Sequence, residues 1–291
     1  MNYRTEINGD GIRGIMPRLT YLVQNFLRNM RPSRKLKISR FSTSSLFSAP
    51  AKIQAWSPGR GLSEQFITQH LPKLILAKAA TGTDGLSVLD IGCGSGRSVE
   101  LFEEAGLSGK WHGTDIDNRF VERNNAKFVT SFSQGDILSA EWVTKFDLIY
   151  TNSALEHIPF NPEFPNKIRE WLKPGGIQVH IVPAPTSLFL YLWHGWRQYS
   201  LRTLEEAFRD NNIEVFPIGG LFTSALQFFF ITFWENILRI SIRNKFSKTY
   251  KWLLFRAIRA DRYAPMFPVF YVVIASNDPA PTKTTEFHDE S

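Results

Sequence analysis

Val88-Leu89-Asp90-Ile91-Gly92-Cys93-Gly94-Ser95-Gly96 is a short apolar run carrying one acid that breaks into glycines at alternate positions. Val88, Leu89 and Ile91 suit a strand buried on both faces. The residues from Ser98 to Glu104 that follow suit a helix with Val99, Leu101 and Phe102 on its apolar side. Glycine at 92, 94 and 96 removes every second Cβ, so the backbone can turn sharply and let a bulky ligand lie directly against it. The dinucleotide fingerprint requires a further glycine where this chain has Arg97, so the spacing here is G-x-G-x-G.

Three more features arrive in order along the chain. Trp111 to Thr114 reads as a second strand ending in Asp115, roughly twenty residues after the loop, the separation at which a βαβ unit brings an acid to a ribose. A third strand at Phe128 to Phe132 leads to Gly135-Asp136-Ile137, which puts another acid on the same rim. Phe146 to Tyr150 reads as a fourth strand, and Leu172-Lys173-Pro174-Gly175-Gly176 turns a helix into a fifth at Ile177 to Val182.

With VLDIGCGSG, GTDID, GDI, FDLIYTNSALEHI and LKPGG spread over residues 88 to 182, the chain resembles the class I S-adenosylmethionine-dependent methyltransferases, a Rossmann-like superfamily. A helix at Leu201 to Phe208 and strands at Ile213 to Ile218 and Val269 to Ala275 complete that family's pattern. The resemblance implies an α/β, three-layer fold: a seven-stranded, mostly parallel sheet with an antiparallel last strand, and here a helical insert before that strand. It also implies S-adenosyl-L-methionine as cofactor. Gly92, Cys93, Gly94 and Gly96 then lie against its methionine part, and Asp90 orients its ammonium group. Asp115 accepts from both ribose hydroxyls, a role suited to a group that only accepts. Ile116 covers one adenine face, Asp136 and Ile137 meet the adenine edge, and Asn152 closes the site at the end of the fourth strand.

Methyl transfer asks mainly for alignment of donor and acceptor. A hydroxyl acceptor also gains from a base, and His157, just past the fourth strand, is the expected catalytic and substrate-binding residue because its ordinary pKa lies near working pH. Relatives with an acid-histidine pair here also use it as pocket wall. Tyr199 and the His194 to Arg197 stretch are the other expected acceptor contacts. The helix from about Leu62 to Ala80 is expected to close over the cofactor, with Ser57 to Gly61 as its hinge. Thr151-Asn152-Ser153-Ala154 replaces the Asn/Asp-Pro-Pro-Tyr that resembling enzymes use on nucleobases and amides, which favours a hydroxyl or similar nucleophile. No metal is called for. Two rivals stay open: a cofactor-binding module without turnover, and an NAD(P)-dependent oxidoreductase.

With 291 residues and 43% hydrophobic content, the chain can bury a sizeable core. Cys93 is the single cysteine, so no intramolecular disulfide forms. The net charge of +7 is placed unevenly. Residues 1 to 45 carry nine Lys/Arg against Glu6 and Asp10, and residues 239 to 262 carry eight against Asp261, so the remainder is net negative. Both basic zones are also apolar, which argues against nucleic acid. Ile15, Leu19, Leu22, Val23, Phe26 and Leu27 recur at helical spacing among arginines, as in a cationic amphipathic helix. Leu221 to Phe233 is nearly all apolar, but Glu235 and Asn236 interrupt it before it reaches the roughly twenty residues of a spanning helix. The expected division is a basic extension over 1–56, a methyltransferase core over 57–220, an apolar and basic helical insert over 221–266 serving as lid or membrane contact, the last core strand over 267–276, and a disordered tail over 277–291. The expected partner is a small-molecule or lipid-linked acceptor, with contact to a membrane surface. The expected location is cytoplasmic and membrane-associated. The acid-free, Arg- and Ser-rich stretch from Gly11 to Lys52 also resembles a mitochondrial presequence.

Overall fold

A computed structural model describes residues 7–30, 36–40, 57–78, 85–122, 127–159 and 164–276. The tail expected at 277–291 and most of the presequence-like stretch beyond Arg40 lie outside the described residues. One sheet organises the rest. Its strands are β1 (Lys37–Ile38), β2 (Leu86–Ile91), β3 (Gly109–Asp115), β4 (Phe128–Gln134), β5 (Phe146–Asn152), β6 (Leu172–Pro183), β7 (Asn212–Ile218) and β8 (Phe270–Ser276), in the spatial order β1-β7-β8-β6-β5-β2-β3-β4. Every neighbour pair is parallel except those of β8, which runs antiparallel to both β6 and β7. The expected seven strands are present. The additional one, β1, is a two-residue edge strand pairing with Glu214 and Val215 of β7.

The central strands are buried on both faces, as their uninterrupted apolar runs require. On one face lie α2 (Pro58–Gln65), a π-helical turn (Phe66–His70), α3 (Leu71–Lys78) and α4 (Arg97–Glu104), enclosing Phe66, Phe102, Trp111 and Tyr150. Phe102 and Trp111 meet edge-on at 4.8 Å between centroids. On the other face, α5 (Phe164–Arg169) and α7 (Leu201–Ala207) cover Ile168, Leu204 and Phe208. The Lys173 ammonium donates to Asp147 at 2.8 Å, and the same carboxylate oxygen accepts the Ser87 N–H at 2.8 Å. The Lys-Pro-Gly-Gly segment therefore lies inside β6 and ties the lower ends of three strands, rather than turning a helix into a strand.

Residues 221–266 form α8 (Leu221–Gln227), a π-helical segment (Phe228–Ile237), α9 (Ile242–Lys245) and α10 (Ser247–Ala260). Asp261, at the end of α10, accepts the Phe222 N–H at 2.7 Å and so caps the positive start of α8. Tyr250, Leu254 and Phe230 join the core on the α2 side of the sheet. Among the described residues, no helix is long and apolar enough to cross a membrane. The remaining helices are α1 (Ile15–Asn29) and α6 (Ser187–Leu190).

The strand order reverses beside β2, whose neighbours are β3 on one side and β5 on the other. Open α/β sheets bind ligands at such a switch point, outside the carboxyl ends of the strands.

Candidate active site

The loop leaving β2 is held over this crevice by hydrogen bonds from Gly92 N and Cys93 N to the Thr114 carbonyl at the end of β3, 2.8 and 3.1 Å long. Gly92 sits at φ +71°, and a Cβ there would come within 2.5 Å of the Ala154 Cβ. Gly94 sits at φ +52°, and a Cβ there would meet nothing within 4 Å. The first glycine is demanded by packing; the second faces open space, as the backbone of a ligand cradle must. Gly94 N–H donates to Asp115 Oδ2 at 2.8 Å, and Asp117 N–H to Asp115 Oδ1 at 3.0 Å. These bonds fix the Asp115 carboxylate on the far side of the crevice. The exposed Arg119 also donates to Oδ1, at 3.4 Å, so of about four lone-pair positions one is open and a second is held by a long bond that a ligand hydroxyl can replace.

Asp90 lies beneath the loop, 1% exposed, and its Oδ2 has no hydrogen-bond partner. Burial, and then the charge of Asp115, pushes its carboxyl well above the usual range. An orphaned buried acceptor is costly until a donor arrives. An ammonium group from a ligand lying on Gly94 supplies that donor, so the residues present fit a cofactor carrying an amino-acid moiety. Cys93 is buried beside it, and burial followed by the charges of Asp90 and Asp115 holds its thiol far above the ordinary value. It is a packed side chain, not a nucleophile.

Farther along the rim, Ile116 is 69% exposed and free to cover a flat ligand. Asp136 Oδ1 accepts the Leu138 N–H at 2.9 Å, closing a turn, while Ile137 packs into the core beneath β2. Only the exposed acid and the backbone of that pair face the rim.

Beside the loop a cavity of about 300 Å³ opens between α2, α4 and the ends of β5 and β6. Asn152 lines it, as expected for the end of β5. At the loop end, Glu64 on α2 bridges Arg60 (3.0 Å) and Arg97 (3.3 Å). Arg97 also reaches Glu100 at 4.0 Å, so two carboxylates balance the two guanidinium groups and tie α2 to α4. Ser57 to Gly61, expected as a hinge, forms the cap and first turn of α2, with Pro58 where its missing N–H costs nothing.

The far end of the cavity holds a second candidate base beside the expected His157. Leu155–His157 is a single tight turn, in which adjacent side chains diverge by about 120°. Glu156 therefore points into the cavity while His157 points away, and His157 is not among the lining residues. Glu156 is 1% exposed, both of its carboxylate oxygens lack partners, and burial pushes its pKa up to about 8. His194 also lines the cavity, with Nε2 4.0 Å from Glu156 Oε1. Burial, then the neighbouring His157, holds the His194 imidazole below its ordinary value. His157 instead pairs through Nδ1 with Asp10 Oδ2 at 2.8 Å.

Tyr199 is likewise displaced from the acceptor role. It is buried in the core of the other sheet face, and its hydroxyl donates to the Leu155 carbonyl at 3.0 Å, so it supports the turn carrying Glu156 from behind. Of the His194 to Arg197 stretch only His194 reaches the cavity; Arg197 is buried and donates to the Ile158 carbonyl at 3.0 Å. No residue of the 221–266 insert lines this cavity, and α8 packs against α2. Asp10 and Glu64 were not singled out from sequence, since each reaches the site only through long-range packing.

This sheet, with its glycine cradle and facing carboxylates, has the arrangement that the resemblance to class I S-adenosylmethionine-dependent methyltransferases implies. A family model described as a methyltransferase domain matches residues 82–212. Trans-aconitate 2-methyltransferase of Deinococcus radiodurans is 32% identical over 99 residues, 33% of this chain and 38% of that protein. Sterol 24-C-methyltransferase erg6 of Aspergillus fumigatus is 32% identical over 101 residues, 32% of this chain and 27% of that protein. The matched stretches span less than half the length of these curated relatives. Among solved structures, phosphoethanolamine N-methyltransferase 2 of Haemonchus contortus in complex with S-adenosyl-L-methionine aligns at 16% identity with a TM-score of 0.45, covering 82% of this chain and 61% of that one.

Proposed function

We propose that this protein transfers a methyl group from S-adenosylmethionine to a hydroxyl, or a similar nucleophile, of a small hydrophobic acceptor. The observation that carries this reading is the buried, unpartnered Glu156 carboxylate, placed in a cavity lined also by Arg97 and Ser98, which directly follow the glycine loop. Bound S-adenosylmethionine supplies a methyl group made electrophilic by its sulfonium. Asp90, Asp115 and the Gly94 backbone orient that donor. Glu156 accepts the proton of the acceptor hydroxyl as the oxygen lone pair forms the new bond to carbon and the carbon–sulfur pair returns to sulfur. Incubation with methyl-labelled donor and a fractionated cell extract tests the reading. Label is expected in an organic-solvent-soluble small molecule and absent with Glu156→Gln; label in nucleic acid or protein alone overturns the acceptor class.

An acceptor held at a lipid surface is favoured by the orientation of α1. Its polar Asn25 and the hydroxyl of Tyr21 face the protein, whereas Ile15, Leu19, Val23, Phe26 and Leu27 face solvent. Phe26 meets Phe189 edge-on at 6.4 Å, and the Thr232 hydroxyl donates to the Leu190 carbonyl, which links α1 through α6 to the exposed Phe229 and Phe233 of the π-helical segment. The strand of chain following α6 carries Tyr191 and His194 into the cavity. This apolar face, with Arg18 and Arg28 on α1 and the basic α9 and α10 beyond it, suits an anionic bilayer. Flotation with phosphatidylglycerol-containing vesicles is expected to recover the protein and to lose it with Leu19→Glu/Phe26→Glu. Equal recovery of both proteins refutes the surface.

A further inference from the structure

Three side chains far apart in sequence meet at the mouth of this cavity. Asp10 Oδ2 lies 2.8 Å from His157 Nδ1, and Asp10 Oδ1 lies 3.2 Å from His194 Nδ1. One ligand atom from each residue can be chosen so that all three fall within 4.8 Å of one another. The meeting is built by backbone contacts. Gly9 N–H donates to the Gly195 carbonyl at 2.7 Å, Gly195 N–H donates to Asp10 Oδ1 at 3.0 Å, and the buried Tyr21 hydroxyl donates to the His194 carbonyl at 2.7 Å.

We propose that Asp10, His157 and His194 bind a divalent transition-metal ion at the entrance to the acceptor cavity. Imidazole nitrogen and carboxylate oxygen bind Zn²⁺ at about 2.0–2.2 Å, which puts neighbouring donors about 2.9–3.4 Å apart for octahedral or tetrahedral angles. The 3.2 Å from His194 Nδ1 to Asp10 Oδ1 lies in that range and the 2.8 Å from His157 Nδ1 to Asp10 Oδ2 just below it, each imidazole facing its own carboxylate oxygen. Two imidazoles with one carboxylate favour Zn²⁺, Co²⁺ or Fe²⁺ over Mg²⁺ and Ca²⁺, which prefer all-oxygen shells. Three protein ligands also leave at least one position open, the arrangement of a catalytic rather than a structural site.

The second observation is Glu156, buried, without a partner on either oxygen, and 4.0 Å from the other nitrogen of His194. Ligation at His194 Nδ1 places the ring proton on Nε2, facing that carboxylate, and metal-bound histidines characteristically hold their second nitrogen against a carboxylate or carbonyl. One ion thus accounts for both the converging donors and the unpartnered acid. His194, which lines the acceptor cavity, connects the ion to it. A role for the ion in turnover rests on the methyl-transfer reading, whereas its binding does not.

The full chain, stripped with a chelator and dialysed, is to be titrated with Zn²⁺ by calorimetry and with Co²⁺ by its visible ligand-field bands, in the absence of methyl donor. About one equivalent is expected, weakened at least about 100-fold in Asp10→Asn, His157→Ala and His194→Ala. His112→Ala, outside the cluster, is expected to bind as the parent does. Circular dichroism checks that each variant is folded, and a parallel titration with S-adenosylhomocysteine reports the donor site separately. Saturable binding that the three substitutions leave unchanged, or no stoichiometric binding at all, overturns the metal site and leaves a hydrogen-bonded tie. Loss of S-adenosylhomocysteine binding by the parent chain overturns the methyltransferase reading instead.

Discussion

Gly92 and Gly94 have the same sign of φ but different surroundings, so alanine at each should fail in a different way. At Gly94 the added methyl meets nothing within 4 Å, and the cost to the fold is the left-handed backbone alone, about 1–2 kcal/mol. That methyl stands where the donor must lie, so affinity for S-adenosylhomocysteine should fall at least about tenfold, or about 1.4 kcal/mol. At Gly92 the backbone cost is similar, but the methyl also comes within 2.5 Å of the Ala154 Cβ. Overpacking of this kind adds about 1–3 kcal/mol. It also pushes on the residue that begins the turn carrying Glu156. Gly92→Ala should therefore melt well below Gly94→Ala in the unliganded state. Adding Ala154→Gly should restore part of the loss at 92 and none at 94, the non-additivity expected of a direct contact. Thermal denaturation gives the stabilities and calorimetry the affinities. Undiminished S-adenosylhomocysteine affinity in Gly94→Ala would show that the ligand does not lie on this loop, and additive effects of Gly92→Ala and Ala154→Gly would remove the steric argument.

Glu156→Gln should slow turnover by about 10²-fold or more while leaving donor affinity unchanged. The carboxyl titrates near 4.5 when unfolded and near 8 when folded, so the folded chain holds its proton more tightly and stability falls as pH rises between those values. The glutamine variant should accordingly gain in melting temperature over the parent at pH 8 but not at pH 4; an equal difference at both would contradict the buried acid. His180, on β6, accepts or donates at both nitrogens, with Thr151 and Gln178 each 3.0 Å away, and burial depresses its pKa to about 3. The unfolded chain takes up its proton below about 6.5 and the folded chain does not, so stability is lost as pH falls from 6.5 towards 3, by at most about 1.4 kcal/mol per pH unit. Denaturant melts of His180→Gln should show a shallower acid limb than the parent; matching slopes would count against the assignment. Tyr199→Phe should cost about 0.5–1.5 kcal/mol by removing one of the two hydrogen bonds to the Leu155 carbonyl, which keeps the Ile158 N–H at 3.3 Å, without altering donor affinity. A variant with parental stability and an increased KM for the acceptor would return Tyr199 to the cavity.

The part of the site that holds the donor is legible locally because each of its requirements is met within a few residues. Val88 to Ile91 cannot be solvated on either face, the glycines that follow permit positive φ, and an acid ends the next strand of the βαβ unit, so neither Asp90 nor Asp115 depends on any distant segment for its position. The catalytic end is different, because choosing between Glu156 and His157 means knowing the angular phase of one turn relative to the cavity. That phase is set by Tyr199 from β6's far side and by the Gly195–Trp196 segment, whose Trp196 N–H is held by the Glu156 carbonyl at 2.7 Å. Histidine drew the assignment because its ordinary pKa suits a base, yet burial gives the adjacent acid a comparable value. Asp10 is further still from local inference: 147 residues separate it from His157, and it arrives through the docking of Gly9 on Gly195. The edge strand β1 is equally silent, since two residues carry no periodicity and are recognised only by their register with Glu214 and Val215. The N-terminal segment contributes both Asp10 at the cavity mouth and the outward apolar face of α1. A substitution that detaches this segment should therefore impair acceptor use and vesicle binding together while leaving the locally encoded donor site intact.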